Sequence, residues 1–178
     1  MTDLSPLTAA LAAAGLAESW HRWCDAGRDW AAEAHGTYEQ DSLLTPTGGF
    51  APLDLREVMA AYAAAGALVA KGSRFPSTRH RSFTVEVAVG SVTCDLAVQL
   101  GRGLNSLECN LVVLADGEQV DDPELLHSAA RAVLRSRGEP DPDPSNPYPR
   151  PVIGSRSQLE VVAREMVDML THVARHWG

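Results

Sequence analysis

The sequence predicts an α+β fold, a single domain over residues 1–178 in which an antiparallel β-meander of three to four strands packs with about five helices. Three observations predict it. Residues 83–100 alternate apolar and polar side chains on both sides of Gly90-Ser91, the pattern of a half-buried hairpin. Helix-start signals recur before and after this stretch. At 178 residues the chain is long enough to bury a core without staples.

Each element follows in order. Ser5-Pro6 pairs an N-cap with proline at the first helical position, and Gly15 is the expected stop. A second helix is expected over about 17–34, with Trp20, Trp23, Cys24, Gly27 and Trp30 on one face. The turn-rich stretch 36–52 leaves room for one short strand near 38–44. Asp54-Leu-Arg-Glu57 is a capping box. The helix it opens shows Leu55, Val58, Met59, Tyr62, Gly66 and Val69 on one face, and Gly72 is its expected end. In the hairpin, Gly90-Ser91 suits a two-residue type II′ turn. That turn pairs Val89 with Val92, Val87 with Cys94, Val85 with Leu96 and Phe83 with Val98, so all the apolar residues share one face. A third strand is expected over 107–115, with Val112 and Leu114 marking part of its polar face as covered. Asp122-Pro123 opens a helix that Gly138 stops. The proline-dense 138–151 reads as an extended strap. It leads to a docked C-terminal helix opened by Ser157-Gln-Leu-Glu160, with Leu159, Val162, Met166, Leu170, Val173 and Trp177 on its apolar face.

Composition narrows the function classes. A net charge of −8 disfavours nucleic acid and anionic membrane, and suits a basic protein partner. No apolar run is long enough to cross a bilayer. Three scattered cysteines without a CxxC suit reduced thiols in a cytoplasmic setting. A single lysine among fifteen basic residues, with abundant alanine, reads as the composition of a GC-rich bacterial genome.

The chemistry-bearing groups are few. His21, Cys24 and Asp25 resemble a thiol nucleophile with base and acid, but Cys24 falls on the tryptophan face, where a thiol is inert. Asp168, His172 and His176 recur every four residues along one helix face, opposite the apolar stripe. They are weak metal candidates, short of a fourth ligand, and no metal or cofactor is expected. The loop 71–81 gathers Lys71, Arg74, Arg79, His80 and Arg81. Glu86, Asp95 and Glu108 are the acids of the meander's polar face, and the hairpin register sets Glu86 opposite Asp95, an unfavourable like-charge pair. None of the nucleotide-loop, metalloprotease, EF-hand or nucleophile-elbow motifs occurs.

The resulting expectation is a non-enzymatic protein-binding protein of a bacterial cytosol, of immunity-protein or dedicated-chaperone type. It would use Glu86, Asp95, Glu108, Arg74, Arg79 and Arg81, with a monomer as the favoured state. The alternative is a small enzyme or ligand-binding domain using the basic loop with the sheet carboxylates. A deep pocket joining Arg79 or Arg81 to Glu86 and Asp95 would separate the two.

Overall fold

A computed structural model of the chain describes residues 4–24, 53–72, 81–100, 106–139 and 150–178. Helix α1 (Pro6–Ala13) starts where Ser5 accepts the Thr8 N–H at 3.1 Å, and it ends before Gly15, at φ +78°. Helix α2 follows, described over 16–24. Trp20 and Trp23 are buried in an edge-to-face pair with centroids 6.0 Å apart. Trp30, the 38–44 segment and most of the strap lie outside the described residues.

Helix α3 (Leu55–Ala64) carries the expected capping box, Asp54 accepting at the first turn and Glu57 reaching back to the Asp54 N–H. It stops about two turns early. Gly66, at φ +100°, ends it, and Leu68–Lys71 forms strand β1, so Val69 belongs to a strand and not to the helix. Strands β2 (Arg81–Val89), β3 (Val92–Leu100) and β4 (Leu107–Ala115) follow. The hairpin register is the expected one, from Phe83↔Val98 to Val89↔Val92. At the turn Gly90 has φ +60° and Ser91 does not share the positive sign, as a II′ turn requires.

The sheet has six strands where three or four were expected, in the order β1-β2-β3-β4-β5 with β6 also on β4. Strands β5 (Glu118–Gln119) and β6 (Glu124–Leu125) are two-residue pieces on the outer edge of β4. Asp116 and Gly117, both at positive φ, make the tight turn into β5.

Helix α4 (Leu126–Ser136) starts after β6 with no side-chain cap, so Asp122 does not cap it. Ladder pairing claims Glu124 and Leu125 first. Asp121 and Glu124 instead hold the start of α1: Asp121 accepts the Leu7 N–H at 2.9 Å, and Glu124 accepts from the Thr8 hydroxyl at 2.9 Å. Helix α5 (Arg156–Trp177) is capped by Ser155, two residues before the expected Ser157, while Gln158 accepts the Gly154 N–H at 2.7 Å.

The core lies between the helices and the sheet face carrying Phe83, Val85, Cys94, Leu96, Val98, Cys109 and Leu111, all fully buried. Helix α5 crosses this face, burying Leu159, Val162, Met166, Leu170 and Val173, and Trp177 packs half-buried at its end. The Tyr62 hydroxyl donates to Met166 Sδ at 3.2 Å, and Trp23 Nε1 donates to Glu165 at 2.6 Å, tying α3 and α2 to α5.

Candidate functional site

The opposite sheet face carries the predicted acids, and one row crosses it. Leu68 of β1 pairs with Glu86, Glu86 with Asp95, and Asp95 with Val112. Directly opposed residues project to the same side of a sheet, so these four side chains form a line. Along it the face closes: Leu68 is 70% exposed, Glu86 is half-buried, Asp95 is 6% exposed and Val112 is 7% exposed. Glu86 and Asp95 are therefore not two solvated acids. The covered region marked by Val112 also takes in Asp95 and Ala97.

The open end of the row lies at the edge of the sheet. Among the described residues no strand pairs with the outer side of β1. The Gly72 N–H donates to the Ser82 carbonyl at 3.1 Å, and in an antiparallel ladder bonded and non-bonded pairs alternate. Ala70 and Leu68 thus bond to β2, while the N–H and C=O groups of Val69 and Lys71 point outward. Leu68, Ala70 and Lys71 are exposed and Val69 is half-buried. The sequence reading missed this edge because it ran α3 through it.

The other predicted residues fall apart from one another. Glu108 pairs with Arg150 at 3.1 Å, and both are partly exposed. Beside them His127 of α4 is buried. Burial chiefly, then the charges of Arg150 and Arg131, push its pKa below the ordinary histidine value, with Glu108 opposing. Arg81 donates to the Leu53 carbonyl at the start of α3, a backbone tie between helix and sheet. Arg74 and Arg79 lie outside the described residues.

The remaining chemistry is quiet. Cys94 is buried, donates to the Leu170 carbonyl at 3.4 Å, and has its pKa pushed up to about 12 by burial. Burial pushes Cys109 higher still, and Cys24 is buried on the tryptophan face while His21 is exposed. Asp168, His172 and His176 stand exposed on the outer face of α5. Among the described residues no three His, Cys, Asp or Glu converge to hold a metal, and no helix is long and apolar enough to cross a membrane.

Comparison with models of protein families, with curated proteins and with solved structures gives no match. The chain's own geometry is thus the source for any functional reading. Its most distinctive surface is the β1 edge, where main-chain groups, an exposed leucine and a carboxylate lie side by side.

Proposed function

We propose that this chain is a non-enzymatic protein-binding protein, of immunity-protein or dedicated-chaperone type in a bacterial cytosol, whose partner adds a strand to β1. The observation that supports this reading is the composition of that edge. Val69 and Lys71 offer outward N–H and C=O groups, and exposed Leu68 lies beside Glu86 on one face. Strand addition draws affinity from main-chain bonds and specificity from alternate side chains. A partner strand would lay an apolar side chain over Leu68 and bring a basic one to Glu86. The row of carboxylates then has a use: Glu86 meets the partner, and a net charge of −8 raises the rate of encounter with a basic protein.

Capture from the native host with the wild-type chain identifies the partner, and two variants test the edge. Lys71→Pro removes an outward N–H without breaking a bond to β2, since proline is tolerated on an edge strand. It should abolish or strongly weaken capture and leave the fold intact. Glu86→Gln should slow association and flatten its salt dependence. Capture unchanged in both variants would place the partner elsewhere on the molecule.

A further inference from the structure

The helix layer holds a cleft that none of the preceding chemistry uses. It lies between α3 and α5 and encloses about 570 Å³, within the range of small-molecule sites. Its floor is alanine. Ala60 and Ala64, and Ala61 and Ala65, form two adjacent rows along α3 at helical spacing, so the helix surface recedes there by the length of a side chain. Leu53 and Leu159 enlarge the apolar lining.

The charges at the rim are unequal. Arg56, Arg156 and Arg164 line the cleft with Glu57 and Glu160. Both carboxylates are engaged: Glu57 accepts the Asp54 N–H in the capping box at 3.3 Å, and Glu160 pairs with Arg156 at 3.5 Å. The guanidinium groups of Arg56 and Arg164 have no carboxylate partner among the described residues. On a molecule of net charge −8, the cleft therefore carries three guanidinium groups against two carboxylates, a local excess of positive charge beside an apolar trough.

We infer that the α3–α5 cleft binds an amphiphile with a carboxylate head, its apolar tail along the alanine trough and its head between Arg56 and Arg164. Guanidinium groups match carboxylates in a planar, two-bond geometry, and the tail would cover apolar surface that α3 leaves open. This site is separate from the β1 edge and does not depend on the reading of that edge.

Titration of the full chain with laurate, followed by calorimetry, tests it. One saturable site is expected, with no binding of dodecyltrimethylammonium, which carries the same tail and the opposite charge. Arg56→Gln and Arg164→Gln should each weaken laurate binding roughly three- to fivefold, the effect of an exposed ion pair, and added salt should weaken it further. Ala64→Leu keeps a strong helix former and fills the trough, so it should weaken laurate binding further than either arginine variant without lowering the melting temperature. Absence of saturable laurate heat would overturn the proposal, as would equal binding of the two head groups or indifference to all three variants. Binding of a synthetic Leu/Glu amphipathic helix without binding of laurate would also overturn it, and would make the cleft a protein-docking groove.

Discussion

At position 127 a histidine is buried between α4 and the edge of β4, facing Glu108, Arg150 and Arg131. Burial and the two arginines favour the neutral ring, so its pKa in the fold lies below the ordinary 6.5. The unfolded chain therefore takes up this proton first, and stability rises with pH wherever that is so. The stability due to neutral His127 is full above about 6.5 and is lost as pH falls from there through the lower folded value. Urea midpoints between pH 7.5 and 5 should fall more steeply in the wild type than in His127→Gln; parallel profiles would contradict the buried neutral ring. In the sequence His127 was invisible as a buried residue, since a polar side chain on a helix reads as a solvated one. Glu86 and Asp95 were legible as opposed acids, because turn type and alternation agree on one register. The depth of Asp95 was not, because alternation tells which face a residue is on and not what covers that face.

Among the elements, α5 shows how much a helical stripe can reveal. Leu159, Val162, Met166, Leu170 and Val173 were readable from spacing, and all are buried against the sheet and α3. Leu170→Ala should cost about 2–5 kcal/mol, the range for a buried leucine whose site cannot collapse. Val161→Ala, on the exposed side of the same helix, should change stability by no more than about 0.5 kcal/mol. Chemical denaturation of both variants checks the orientation of the helix, and equal costs would contradict it. The misread elements share a physical cause. The stretch 67–70 is apolar and only four residues long, and over so short a run helical and strand periodicities coincide. Helix starts compete in the same way: Asp122-Pro123 has cap chemistry, yet pairing with β4 takes Glu124 and Leu125, and the helix begins only beyond them. Strand β5 did leave a signal, the Asp116-Gly117 turn pair, although two residues are too few to show alternation.

On the scale of the whole molecule, the α+β architecture leaves the two long sides of the sheet in different states. At β4 the edge is occupied by β5 and β6. At β1 it is open among the described residues, and the strand is short, flanked by Gly66 and Gly72 at positive φ, and exposed at Leu68. Short edge strands with a lysine are a common guard against uncontrolled pairing, and β1 is short and carries exposed Lys71. The exposed Leu68 works against such a guard, which is why the edge reads as a place for one selected strand. Amide hydrogen exchange at residues 68–71, in the free chain and with the captured partner, tests this most directly. In the free chain the account predicts slow exchange at Leu68 and Ala70, bonded to β2, and fast exchange at Val69 and Lys71. In the complex all four should be slow. Fast exchange at Val69 and Lys71 that persists in the complex, or protection already complete without a partner, would contradict strand addition at β1.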